Sequence, residues 1–286
     1  MNQKIILGTV QFGLNYGINN SFGQPSEKEV YDILDTAYNN GINCLDTADA
    51  YGNSIAIIGD YHNSRSSKFK ILSKFKNAKE GELAQIARKS LNKLKVKQFE
   101  VYSYHSFTDY LLNQSLINDL QELKSKELIR KIGISVYTND ELEKAIEDIN
   151  IDVIQLPYNL LDNNNLRGVW IESAKEKSKQ IHVRSIFLQG LFFMDFNRFP
   201  EKLSPLKPYI QKIKDFCLNE SLSLQSLALS YALFNKNIDN VLIGVDNSYQ
   251  FLANIRSVQN NQKAFDFINN SVLVKEIELL NPVNWK

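Results

Sequence analysis

Four side chains between residues 46 and 105 have the types and spacing to do acid–base chemistry. Asp46 ends the apolar run NCLD, and Tyr51 follows five residues later in DTADAYG. Lys74 ends KILSK, and His105 comes directly after VYSY. A lysine held beside an aspartate stays an ammonium, because opposite charges stabilise each other. That ammonium next to a phenol favours phenolate and is expected to lower the tyrosine pKa. The phenol can give its proton to a carbonyl oxygen while hydride reaches the carbon. An imidazole at the rim can hydrogen bond the same oxygen and orient the substrate. No side chain carries hydride, so such a reaction would draw it from a nicotinamide.

Taken singly, each residue has a plainer use. Asp46 could cap a turn, Lys74 could reach solvent from a strand end, Tyr51 could be core with its hydroxyl bonded, and His105 could be structural. Their joint placement, at the ends of three successive strands, favours catalysis. Two other functions use the same residues. Lys74 could form a Schiff base, as in a barrel lyase, although Asp46 should keep it charged. The chain could also be a non-catalytic, cofactor-sensing subunit that retains the fold.

Short β-branched runs predict strands at Ile5–Val10, Asn43–Thr47, Phe69–Lys74, Phe99–Tyr104, Lys131–Ser135, Val153–Leu156, His182–Ile186 and Val241–Gly244. Helical periodicity falls between them, at about Glu27–Asn39, Ser54–Tyr61, Glu80–Leu94, Asn113–Glu127, Asp140–Ile149, Asn163–Lys179 and Pro205–Leu233, the last with a break near Asn219. Tyr249–Ser257 and Gln262–Leu280 follow. Ser26 and Glu29 form a capping-box pattern, and Gly41 a stop. Strict alternation predicts parallel strands. Eight units in 286 residues predict an α/β fold, a single (β/α)8 TIM barrel domain over residues 1–286. A doubly wound sheet would show GxGxxG after its first strand. Gly8, Gly13 and Gly17 do not fit that spacing and read as turn residues. In a barrel, the ends of strands two, three and four open onto one face.

The composition narrows the partners. The formal net charge is +1, which gives no reason to expect nucleic acid or an anionic membrane. The basic stretch Lys89–Lys97 is interleaved with Leu91, Leu94 and Val96 and reads as a solvated helix face. Cys44 and Cys217 lie in no metal-ligand pattern, so no metal is expected. His62 reads as a surface residue at a helix end, and His182 as the start of strand seven. No run approaches the roughly 20 apolar residues needed to span a bilayer. The N-terminus lacks the apolar stretch of a secretory signal, and the expected location is cytoplasmic. The aromatic residues Phe12, Tyr16, Phe22, Phe187, Phe192 and Phe193 could wall a pocket or only pack loops.

The segments LGTVQFGLNYG (7–17), LDTADAYG (45–52), SK (73–74), His105, IGIS (132–135), IQLPYNLLD (154–162) and IGVDNSYQFLANI (243–255), in this order, resemble the aldo-keto reductase superfamily in its bacterial members. The resemblance implies NAD(P)(H)-dependent reduction of an aldehyde, ketone or sugar derivative. It implies Tyr51 as general acid, Lys74 and Asp46 as its tuning pair, and His105 as the substrate-orienting group. It places Ser135 and Gln155 at the nicotinamide carboxamide. Ser185, Leu188 and Gly190 fall along the pyrophosphate, and Gly244, Asn247, Gln250 and Asn254 at the adenosine end. NADP(H) is the favoured cofactor, with NAD(H) the alternative. A helix N-terminus near Asn247 could bind phosphate. Four residues depart from the family pattern: Ile55, Val136, Asp246, which would repel a 2′-phosphate, and Arg184, where a stacking tyrosine is common. Arginine can also stack, so Arg184 stays a cofactor contact.

Overall fold

The computed structural model describes residues 2–76 and 78–285. Its eight strands are β1 (Ile5–Gly8), β2 (Cys44–Asp46), β3 (Lys70–Phe75), β4 (Phe99–Tyr104), β5 (Ile129–Ser135), β6 (Val153–Pro157), β7 (Gln180–Arg184) and β8 (Asn240–Ile243). All neighbours are parallel and follow chain order. The ring closes where Ile5, Ile6 and Leu7 pair with Val241, Leu242 and Ile243. The expected α/β barrel is therefore present.

Local chemistry sets the outer helices. Glu27–Asn39 buries Val30, Ile33, Leu34 and Ala37, one stripe at helical spacing. Ser26 accepts from the Glu29 backbone, and the Glu29 carboxylate accepts from the Ser26 N–H at 2.8 Å. Gly41, at φ +79°, then turns the chain in a conformation that side chains disfavour. The long helix expected over Pro205–Leu233 is two helices, Lys207–Asn219 and Leu224–Leu233, with Ser221 at φ +54° between them and Ser223 capping the second. Gln262–Leu280 stops as a helix at Ser271. A helix not expected from sequence, Phe107–Leu112, starts directly after His105, capped by Ser106.

Side chains alternate across each strand, so each strand feeds two apolar layers. One lies between sheet and helices. The other is a small cluster of Ile6, Leu72, Val101, Val153 and Leu242 with Cys44, which fills the barrel interior. Above it, toward the C-terminal ends, the inward positions turn polar and become the site.

Both remaining histidines differ from expectation. His62 is buried, not a surface residue. Its Nδ1 lies 2.7 Å from the Leu94 carbonyl, and its Nε2 accepts from the Phe69 N–H at 3.1 Å. The cause is close helix packing: a Cβ on Gly59 would stand 1.9 Å from the Lys93 carbonyl oxygen, so helix Ser54–Ser64 lies flush on helix Leu83–Leu94. His182 is the third residue of β7 rather than its first, because that strand begins two residues early. It pairs in register with Gln155 and Asn240, so it faces the barrel interior. It is 3% exposed, and neither ring nitrogen has a partner among the described residues.

Burial pushes the His182 pKa down to about 4, so it is neutral at pH 7. An unfolded chain would take up that proton below about pH 6.5. Stability carried by the neutral ring is complete above that value and is lost as pH falls toward 4, by about 3 kcal/mol. His182→Leu is expected to flatten the fall in melting temperature between pH 6.5 and 4.5. An unchanged slope would show that the ring titrates normally.

Candidate active site

A cavity of about 600 Å3 opens at the C-terminal ends of the strands and is lined by Asp46, Tyr51, Lys74 and His105 together. Asp46 ends β2 and Lys74 lies one residue before the end of β3, so both point inward and upward. Each is 3% exposed. Lys74 Nζ hydrogen bonds Asp46 Oδ1, and Gln155 on β6 donates to Asp46 Oδ2 at 2.9 Å across the barrel. Tyr51 is carried by the loop after β2. That loop is locked from below: a Cβ on Gly13 would stand 1.9 Å from the Tyr51 carbonyl oxygen, and one on Gly52 2.2 Å from the Gly13 carbonyl oxygen. Only glycine permits this approach of the loops after β1 and β2. Lys74 Nζ lies 5.5 Å from the centre of the Tyr51 ring. The His105 and Tyr51 rings meet nearly at right angles, 6.0 Å between centres.

The charges are set by burial and by each other. Burial opposes an ammonium on Lys74, but Asp46 and Tyr51 outweigh it and the pKa is raised. Burial pushes the Tyr51 phenol up more than Lys74 pulls it down, and Asp46 adds to the rise. The lowered tyrosine pKa expected from sequence is therefore not the resting state, because a desolvated phenolate costs more than one ammonium returns. His105 is pushed down to about 4 by burial and then by Lys74, so it is neutral at pH 7. A neutral imidazole serves as a hydrogen-bond partner, and its Nδ1 has no partner among the described residues.

Most of the residues expected at a cofactor also line this cavity: Ser135, Gln155, Arg184, Ser185, Gly190, Gly244, Gln250 and Asn254. Ser185 (φ +61°) lies past the end of β7, and left-handed backbone recurs at Leu188, Gln189 and Gly190 (φ +86°). Two expectations fail. Leu188 is fully buried in the apolar core and does not face the cavity, because its φ of +46° turns the side chain beneath the loop. Asn247 does not line the cavity either. It caps helix Ser248–Arg256, accepting from the Gln250 N–H at 2.8 Å. Gln250 in turn accepts from the Asp246 N–H at 2.7 Å. These bonds occupy backbone donors that a phosphate at that helix start would need.

The cavity fits a nicotinamide dinucleotide in its polar inventory. Gln155 Oε1, Gln11 Oε1 and Asn254 Nδ2 are buried cavity-lining atoms with no partner among the described residues. Buried polar atoms are ordinarily paired, so these three await a ligand or water. Gln189, expected with Gly190 in the pyrophosphate loop, lines the cavity, and Gln11, Asn19, Tyr137, Gln225 and Val283 line it without having been singled out in the sequence. The loop after β1 arches over the loop after β7: a Cβ on Gly190 would meet Asn19 Cβ at 2.9 Å. The aromatic candidates divide. Tyr16, Phe187 and Phe193 line the cavity, Phe12 and Phe192 are core, and Phe22 is 87% exposed.

An eight-stranded parallel barrel with a buried Lys–Asp pair, a phenol and an imidazole at its C-terminal mouth defines a class of nicotinamide-dependent oxidoreductase. The Aldo/keto reductase family profile matches residues 4–270, and the chain belongs to that family. It is therefore an NAD(P)-dependent oxidoreductase. It is 25% identical over 267 residues to the uncharacterized oxidoreductase YqkF of Bacillus subtilis, covering 83% of this chain and 84% of that one. It is 22% identical over 273 residues to the NADH-specific methylglyoxal reductase of Escherichia coli, covering 80% and 82%. Among solved structures, the aldo-keto reductase AKR11C1 from Bacillus halodurans, in its holo form, superposes with a TM-score of 0.72 at 22% identity, covering 96% and 94%. No helix among the described residues is long and apolar enough to cross a membrane.

Proposed function

We propose that this protein interconverts a small carbonyl compound and its alcohol, with Tyr51 as proton donor and acceptor. The observation that carries the reading is the buried Lys74–Asp46 pair beside Tyr51 and His105 in one cavity. A bound nicotinamide supplies or takes the hydride. In reduction, Tyr51 gives its proton to the substrate oxygen. Lys74 then holds the phenolate that remains, and Asp46 with Gln155 keeps Lys74 charged and in place. The cation is thus needed for the state after proton transfer, which agrees with a resting phenol that stays protonated. Neutral His105 hydrogen bonds the same oxygen and sets its angle to Tyr51. Ser135 and Gln155 would hold the carboxamide, Ser185 and Gly190 the pyrophosphate side, and Gly244, Gln250 and Asn254 the adenosine end. Asn19, Asn20 and Gln189 also line the cavity, which supports a polar substrate such as a sugar derivative. A Schiff base at Lys74 is disfavoured, because it needs a neutral amine and Asp46 raises the lysine pKa.

NADP(H) was favoured by resemblance, but the adenosine end favours NAD(H). Asp246 lines it, and Lys74 and Arg184 are the only cations among the described lining residues. A 2′-phosphate there would meet a carboxylate and no cation. The similar Escherichia coli protein is named NADH-specific. Titrating each nucleotide and following its fluorescence should give a Kd for NADH at least about tenfold below that for NADPH. Asp246→Lys should narrow or reverse that gap. Binding of neither nucleotide would remove the oxidoreductase mechanism, whereas equal binding would remove only the role of Asp246.

A further inference from the structure

Arg184, the last residue of β7, raises its side chain into the cavity. Its Cζ lies 4.2 Å from the centre of the Tyr137 ring, which covers one face of the guanidinium. Nη2 reaches Ser135 Oγ at 3.4 Å and the Val136 carbonyl at 3.3 Å, and Nη1 reaches Ser185 Oγ at 3.4 Å. Every one of these partners is neutral, and every bond is long. Among the described residues no carboxylate pairs with Arg184. The buried cations nearby are answered, unlike half-buried Arg184: Lys74 by Asp46, and Arg167 by Asp162 through two bonds of 2.6 and 2.8 Å. Arg184 is thus a cavity-lining cation without an ion-pair partner among the described residues, its guanidinium acting on the Asp162 carboxylate only through space. It sits close to the reacting centre, since its field is felt by both Tyr51 and Lys74.

We propose that the substrate carries a carboxylate or phosphate and that Arg184 binds it, holding the carbonyl against Tyr51. The inference rests on the carbonyl-reductase reading above. A guanidinium is a planar fork that takes a carboxylate or phosphate through paired N–H bonds. Tyr137 packs against the guanidinium, whose long bonds to Ser135, Val136 and Ser185 can give way to a shorter charged partner in the cavity. Because the anchored group is charged and the reacting group is not, Arg184 selects by charge while Tyr51 and His105 do the chemistry. The same fork could instead meet the dinucleotide pyrophosphate, which is the competing source of the anion.

A matched pair of aldehydes separates these cases: succinic semialdehyde, which carries a carboxylate, and butanal, which does not. The wild-type enzyme with NADH should prefer the charged aldehyde by at least about tenfold in kcat/KM, chiefly through KM. Arg184→Gln should bring that ratio close to one, and Arg184→Lys should keep an intermediate value. A second measurement does not depend on turnover. Succinate, or inorganic phosphate, should raise the melting temperature of the wild-type protein with nucleotide bound but not that of Arg184→Gln. A wild-type ratio near one, or a ratio that survives in Arg184→Gln, overturns the proposal. So does a weakened nucleotide Kd in Arg184→Gln with the aldehyde ratio untouched, which would assign the arginine to the cofactor. Failure of the wild type to bind either nucleotide sinks the reductase reading instead; the succinate melt is then run on the protein alone, and a melting-temperature rise that is equal in wild type and Arg184→Gln, or absent from both, overturns the role of Arg184.

Discussion

Tyr51→Phe is expected to lower kcat by about 10²–10⁴-fold, the range that general acid–base catalysis ordinarily supplies. The hydroxyl is the only part removed, and the ring that packs against His105 remains. Nucleotide affinity, read by fluorescence, should stay within about twofold, so the loss belongs to the chemical step. Because burial holds the phenol above its ordinary value, reduction should keep its rate through neutral pH and fall only above about pH 10. A Tyr51→Phe enzyme within tenfold of the parent in single-turnover reduction would strip Tyr51 of the proton-donor role.

Lys74→Met is expected to cost about 3–5 kcal/mol of stability, as for removing one partner of a buried ion pair. The variant leaves the Asp46 carboxylate 3% exposed with the Gln155 N–H as its remaining side-chain donor. The double variant Asp46→Asn, Lys74→Met should recover most of that stability, because no net charge then stays buried. It should recover none of the turnover. Denaturant midpoints for both variants, set beside their rates, make the distinction. If the single variant unfolds with the parent's midpoint, the pair is not as desolvated as its burial says.

The barrel and the position of the candidate site were legible because both follow from alternation. Eight β-branched runs with helices between them leave few topologies. A polar residue at the end of an apolar run must rise at the mouth, which placed Asp46, Lys74 and His105 correctly. What stayed hidden depends on contacts between distant loops. Gln11 enters the cavity because Gly244 lacks a side chain, a Cβ there meeting Gln11 Nε2 at 2.4 Å. Asn19 arrives the same way over Gly190. Leu188 and Asn247 were misplaced by one local event each, a left-handed turn and a helix cap, which reverse where a side chain points without altering the surrounding pattern. His62 was misplaced because its burial comes from a neighbouring helix that its own segment does not encode.

The pairing of β1 with β8 joins Ile5 to Val241 across nearly the whole sequence. During synthesis the ring therefore stays open until residues beyond 240 leave the ribosome. Until then, β1 carries an unpaired edge and the inward-facing apolar cluster lacks Leu242. Such an intermediate is slow to complete and prone to self-association. Nascent chains should thus lean on chaperones until the eighth strand closes the sheet.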